Sequence, residues 1–279
     1  MRKILFLLFF QFTLATVLAQ DPLRFEKEVN ALIAGDSLVN KKKLILFTGS
    51  SSIRFYADLK KDFPKHNVLN RGFGGSEMSD LLYYAGPLIL NYNPSRIFIY
   101  EGDNDINAGK SPEEILALVD KLLTMLRTQL PASVKIIFIS AKPSVARWQL
   151  KSKYEEFNRQ LKQWTTTKKN VLYADVWTPM LDSNGEVRKD LFVDDNLHMN
   201  RKGYEIWKRV IDGFMPRKSW QIVWKKRISK LGILYHSLIF KVCIIFNGLS
   251  LFLDLSTILQ ESVLKLYLMQ WMEKQTILS

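Results

Sequence analysis

Across residues 41–215, short and continuous apolar runs alternate with longer stretches whose apolar residues recur at helical spacing. The continuous runs are Leu44-Ile45-Leu46-Phe47, Val68-Leu69, Ile97-Phe98-Ile99-Tyr100, Ile136-Ile137-Phe138-Ile139 and Val171-Leu172-Tyr173. A run that does not alternate apolar with polar suits a strand covered on both faces. Between them, Ser111-Pro112-Glu113-Glu114 opens a helix: Ser as N-cap, Pro at the first helical position, carboxylates in the first turn. Its apolar stripe runs through Ile115, Leu118, Leu122 and Leu126. Further helices are expected over 80–90, 150–166 and 202–214. Five strands alternating with helices predict a three-layer α/β fold with a mainly parallel five-stranded sheet. In such sheets ligands bind beyond the carboxyl ends of the strands, so chemistry is to be sought in the loops that follow them.

The flanks have a different pattern. Met1-Arg2-Lys3 is a short basic segment, residues 4–18 are an apolar run interrupted by Gln11, and Val17-Leu18-Ala19 offers a small-residue cleavage site. Residues 1–19 are therefore expected to be a signal peptide for export, leaving 20–215 as the folded domain. Residues 216–279 form a C-terminal extension of no readable role. In it, Lys225-Lys226-Arg227 precedes an apolar stretch over 233–255 with Lys241 at its middle. A central Lys costs about 3 kcal/mol on insertion scales, and the basic cluster lies on the wrong side for an exported amino end. Membrane contact by this tail is not the expected reading.

Charge changes the picture little. Of the formal +13, Arg2 and Lys3 supply +2, and residues 217–279 hold nine Lys/Arg against three Asp/Glu. The middle is only mildly basic and carries no basic stripe interleaved with aromatics, so nucleic acid is not an expected partner. Cys243 is the only cysteine, which excludes an intramolecular disulfide and any cysteine-based metal cluster.

Four loops after apolar runs carry candidate chemistry: Thr48-Gly49-Ser50-Ser51-Ser52-Ile53, Asn70-Arg71-Gly72-Phe73-Gly74-Gly75-Ser76, Glu101-Gly102-Asp103-Asn104-Asp105 and Asp194-Asp195-Asn196-Leu197-His198. Each alone is an ordinary turn; together they supply what ester hydrolysis needs. A Ser hydroxyl is a poor nucleophile until an imidazole takes its proton. Among the three histidines, His236 lies in the tail and His66 in the polar turn Pro64-Lys65-His66-Asn67. His198 has a carboxylate, Asp195, three residues before it, where one short turn brings it to the ring. Gly75 and Asn104, with the Ser51 backbone N–H, are candidate donors to a tetrahedral oxyanion.

Gly-Ser-Ser-Ser-Ile, Phe-Gly-Gly-Ser, Gly-Asp-Asn-Asp and Asp-Asn-Leu-His stand in the order of the four blocks of the SGNH (GDSL-like) hydrolases, which the chain resembles over about residues 41–214. Within that family it looks most like secreted bacterial esterases akin to the catalytic subunit of platelet-activating-factor acetylhydrolase. The resemblance implies a flavodoxin-like fold, Ser51 as nucleophile, Asp195 and His198 as its acid and base partners, and Gly75 and Asn104 as oxyanion donors. It implies neither a metal nor an organic cofactor. The family usually has Gly-Asp-Ser at the first block, and here Ser50 replaces the Asp. Three adjacent serines result, of which Ser51, two after the glycine, is preferred to Ser50 and Ser52.

Other frameworks fail on spacing. The segment Gly49-Ser50-Ser51-Ser52-Ile53 lacks the second Gly of a Gly-x-Ser-x-Gly elbow. Glu77 breaks the dinucleotide fingerprint begun by Gly72 and Gly74, and there is no Gly-Lys-Ser/Thr loop. Arg54, Arg147 and Trp148 are candidate substrate contacts, with Arg147 and Trp148 suited to a sugar ring or, equally, to covering the next helix. The expected reaction is hydrolysis of a small ester, an acetylated carbohydrate first. The alternatives are a lysophospholipase- or thioesterase-type acyl hydrolase and a non-catalytic carbohydrate binder on the same fold.

Overall fold

In the computed structural model, residues 21–216 are described. The expected signal peptide and the extension beyond 216, with His236, Lys241 and Cys243, lie outside them. Five parallel strands, β1 (Ile45–Gly49), β2 (Val68–Gly72), β3 (Arg96–Tyr100), β4 (Lys135–Ile139) and β5 (Val171–Ala174), form one sheet in the order β2-β1-β3-β4-β5. The reversal of chain direction across the sheet falls between β1 and β3, and the loops after both meet there.

Burial explains the continuous runs. In β1, Leu46 joins Ile97, Ile99, Ile136 and Phe138 on one face, while Ile45 and Phe47 join Phe98, Tyr100, Ile137 and Ile139 on the other. Alternate residues point to opposite faces, so a strand covered on both holds a polar side chain only where it is paired, as Thr48 is with Arg71 O at 3.0 Å. Phe47 and Phe98 stack across neighbouring strands with ring centroids 4.5 Å apart. Each such buried side chain contributes about 1.5–3 kcal/mol from removal of apolar surface.

The first face is covered by α1 (Glu26–Ile33), α4 (Met78–Tyr83), α5 (Ala85–Leu88), α7 (Pro112–Gln129) and α8 (Lys151–Thr166); the second by α2 (Ser51–Arg54), α3 (Leu59–Asp62) and α9 (Arg201–Asp212). A further short helix, α6 (Asp103–Asn107), follows β3. The capping box foreseen for α7 is present: Glu114 N donates to Ser111 Oγ at 3.2 Å, and Ser111 N to Glu114 Oε2 at 2.7 Å. Losing such a cap costs about 1 kcal/mol.

Two expectations change. The single helix over 80–90 is two, α4 and α5, because Pro87 lacks the amide that would continue the ladder back to Tyr83. Asp80 is not the first helical residue, because α4 begins at Met78. It is buried as the third helical residue of α4, its Oδ2 accepting from Glu77 N at 2.9 Å. The N-terminal helix α1 had no forecast. Among the described residues, no helix is long and apolar enough to cross a membrane.

Candidate active site

The turn out of β1 depends on Gly49. Its φ is +120°, and a Cβ there would lie 2.0 Å from the Tyr100 carbonyl oxygen. Only glycine adopts that conformation with the neighbouring strand so close. The chain then enters α2 at once, with Ser50 N donating to Tyr100 O at 3.0 Å. Of the three serines, Ser50 and Ser52 are buried and Ser51 is half-buried. The Ser51 hydroxyl lies 3.0 Å from His198 Nε2.

His198 reaches this position on a tight hairpin. Phe192 and Met199 form an antiparallel bridge, Val193 N donates to His198 O at 2.9 Å, and Asn196 takes a left-handed conformation at φ 58°. Asp195 organises the turn: its Oδ1 accepts from Leu197 N and His198 N, each at 2.8 Å. Its other oxygen stands 2.5 Å from His198 Nδ1. Desolvation works against ionisation of Asp195, but the hydrogen bonds from the His198 ring and the two amides prevail and lower its pKa to about 2. A carboxylate so placed accepts a hydrogen bond from the protonated Nδ1, which leaves Nε2 as an acceptor facing Ser51. The next residue but one, Asn200, caps α9 by accepting from Lys202 N at 2.9 Å and Gly203 N at 3.3 Å. The cap is thus supplied by Asn200, and Asp195 is left to the histidine.

The two remaining loops bring Gly75 and Asn104 together: a Cβ on Gly75 would sit 3.7 Å from Asn104 Nδ2. Asn104 Nδ2 donates to Ser76 O at 2.9 Å. An amide nitrogen carries two hydrogens, so a second donor remains. Gly75 is exposed, and the exposed Phe55 ring meets the imidazole edge-on at 4.9 Å.

The candidate substrate residues have other partners. Arg54 pairs with Glu28 at 3.0 Å and lies over the Phe55 ring. Trp148 stacks on Trp177, with centroids 5.9 Å apart, and donates from Nε1 to Glu186 at 2.8 Å. Arg147 is turned inward onto Asp103 and Asn104. His66 stays in its turn, with N donating to Phe63 O at 3.0 Å.

The structure gives several other residues roles that the sequence did not assign. Lys142 is 1% exposed and donates from Nζ to Leu197 O at 2.8 Å, holding the histidine hairpin from beneath. Asp103 is buried between Lys142 and Arg147, and accepts from the Tyr100 and Tyr154 hydroxyls. Glu101 is fully enclosed, its Oε1 accepting from Ser76 Oγ at 2.6 Å; burial pushes its carboxyl pKa well above the usual range. From α1, Glu28 accepts from Gly74 N at 3.0 Å, bracing the loop that carries Gly75. Among these, Glu101 and Asp103 stand in the loop after β3 that the sequence marked, whereas nothing in the sequence pointed to Glu28.

Comparison with known proteins bears on the family and the fold. The GDSL-like Lipase/Acylhydrolase family matches residues 33–206. No curated protein matches the sequence. Among solved structures, a Streptococcus pneumonia protein provisionally named as a platelet activating factor is similar at a TM-score of 0.62 and 20% identity, over 68% of this chain and 91% of that one. A GDSL-like lipase from Bacteroides thetaiotaomicron is similar at 0.56 and 18%, over 69% and 96%. An acetylxylan esterase from Geobacillus stearothermophilus is similar at 0.51 and 16%, over 61% and 92%. At such identities the likeness is one of fold. The family match carries more: the chain belongs to the GDSL-like lipase/acylhydrolase family and is an ester-bond hydrolase.

Proposed function

We propose that the protein is a serine esterase in which Ser51, His198 and Asp195 form the catalytic triad. The observation that carries this reading is one line of contacts, Ser51 Oγ to His198 Nε2 at 3.0 Å and His198 Nδ1 to Asp195 Oδ2 at 2.5 Å. Its members lie 147 residues apart in sequence at the first contact, so local turn chemistry alone does not account for it.

In the reaction, Ser51 Oγ attacks the ester carbonyl carbon as its proton passes to His198 Nε2. Asp195 holds the ring and stabilises the imidazolium. Negative charge develops on the carbonyl oxygen, where the Ser51 and Gly75 amides and the second Asn104 Nδ2 hydrogen serve as donors. Collapse of the intermediate expels the alcohol, which takes the proton from His198. Water then attacks the acyl-enzyme with the same imidazole as base, releasing the acid and restoring Ser51.

A small acyl group, acetyl first, on a carbohydrate is the proposed substrate. Support comes from the fold shared with an acetylxylan esterase and from the exposed aromatic Phe55 beside the histidine. The basic and apolar residues of 1–19 support export of the enzyme. Purified protein should hydrolyse p-nitrophenyl acetate, and Ser51→Ala should lower kcat by several orders of magnitude. Unchanged hydrolysis by Ser51→Ala would refute the triad.

A further inference from the structure

We propose that Arg147 is a positioning residue that fixes and polarises the Asn104 amide as an oxyanion donor. The inference rests on the esterase reading above and deepens it.

Arg147 lies in the segment after β4, far from Asn104 in sequence. Its Nη2 donates to Asn104 Oδ1 at 3.0 Å, while Nη1 pairs with Asp103 Oδ1 at 2.5 Å and also donates to Asp103 O at 3.2 Å. The guanidinium therefore spans two consecutive residues of α6 and is only 13% exposed. Tyr154 and Lys142 hold Asp103 from other sides, so the anchor of the guanidinium is itself fixed.

Donor and acceptor chemistry then decides which way the Asn104 amide faces. A guanidinium has only donors and a backbone carbonyl only accepts. With Arg147 on one side and Ser76 O on the other, the oxygen must face Arg147 and the nitrogen must face Ser76. The flipped amide would set NH2 against the guanidinium and oxygen against the carbonyl. The observed orientation presents the second N–H where Gly75 leaves open space.

Charge adds to orientation. A cation bonded to the amide oxygen draws electron density from the nitrogen, so Nδ2 becomes a stronger donor. That gain is largest when the acceptor carries negative charge, in the transition state rather than in the bound ester. Arg147 should consequently act on kcat with little effect on KM. The aromatic neighbour Trp148, bonded to Glu186, does not share this arrangement.

The test uses the full chain with p-nitrophenyl acetate, measuring kcat and KM for Arg147→Lys, Asn104→Ala and the double variant. Lysine keeps a cation opposite Asp103 but has no fork to reach Asn104 as well. Thermal unfolding checks that each variant is folded, and Arg147→Met serves as a second probe of the same arm. Expected is a kcat loss of roughly 10- to 100-fold for Arg147→Lys with KM within about twofold. Asn104→Ala should lose about 10²–10³-fold, and adding Arg147→Lys to it should cost less than about threefold more, because the guanidinium acts through the amide. Folded Arg147→Lys with wild-type kcat, or an equal loss from it with and without Asn104, overturns the proposal while leaving the oxyanion role of Asn104 standing. An unchanged kcat in Asn104→Ala removes the oxyanion role and this proposal together.

Discussion

Replacing Asp103 with Asn removes the one negative charge that two buried cations share. The Asp103 side chain is 6% exposed, Arg147 13% and Lys142 1%, with nitrogen–oxygen separations of 2.5 Å to Arg147 and 3.7 Å to Lys142. Asparagine keeps the shape but turns an NH2 toward groups that donate to Asp103, so the substitution removes the charge and one acceptor together. Leaving buried charge unpaired costs about 3–5 kcal/mol, whereas an exposed pair is worth about 0–1 kcal/mol. Arg159 and Glu156, 62% and 43% exposed, supply that comparison within the same molecule. In urea titrations at pH 7, Asp103→Asn should lose roughly 3–5 kcal/mol, a fall in Tm of the order of 10 °C, and Glu156→Gln should leave the unfolding midpoint where it is in the wild type.

The sign of the pH dependence follows from the same contacts. Desolvation alone would raise the Asp103 pKa, but Lys142 and Arg147 outweigh it and hold the carboxyl below its ordinary value. Its stabilising contribution is therefore complete above the unfolded value of about 3.9 and is lost as pH falls through the folded one. The gap between wild type and Asp103→Asn should narrow as titrations move from about pH 5 toward pH 2. A deficit below about 1 kcal/mol at pH 7, or a gap that does not narrow in acid, refutes the reasoning.

Two further outcomes are expected. Asp195→Asn retains an oxygen for the Leu197 and His198 amides but turns an NH2 toward His198 Nδ1, forcing the proton onto Nε2 and away from its role as acceptor; kcat should fall by about 10³–10⁴ with the fold intact, and a loss under tenfold contradicts the triad. Glu101 holds its proton in the folded chain above the pH at which the unfolded chain releases it, so stability should decline as pH rises from about 4.3. Glu101→Gln should lack that decline; equal slopes between pH 5 and 8, measured by denaturant titration, would show that the buried carboxyl is not protonated.

The strands and the four loops were legible because both leave local marks. An uninterrupted apolar run such as Ile97-Phe98-Ile99-Tyr100 suits a strand covered on both faces, and Gly, Ser or Asn close after β1, β2 and β3 mark where those strands end. Asp195 and His198 were readable together because three residues span a single turn. The pairing of His198 with Ser51 was chemically motivated, not locally encoded. What stayed hidden depends on partners distant in sequence. Arg147 was placed near the site, but its turn inward is set by Asp103, 44 residues away. Lys142 is buried only because Asp103 and the Leu197 carbonyl meet it there. The role of α1 was invisible for the same reason: Glu28 reaches Gly74 across 46 residues.

The central claim is that one hydroxyl among three neighbouring serines is activated. Treating the native protein with a fluorophosphonate and mapping the adduct by mass spectrometry addresses it directly. A single adduct on Ser51, absent from the Ser51→Ala protein, is the expected result. An adduct on Ser50 or Ser52, or none on protein that still cleaves p-nitrophenyl acetate, would contradict it.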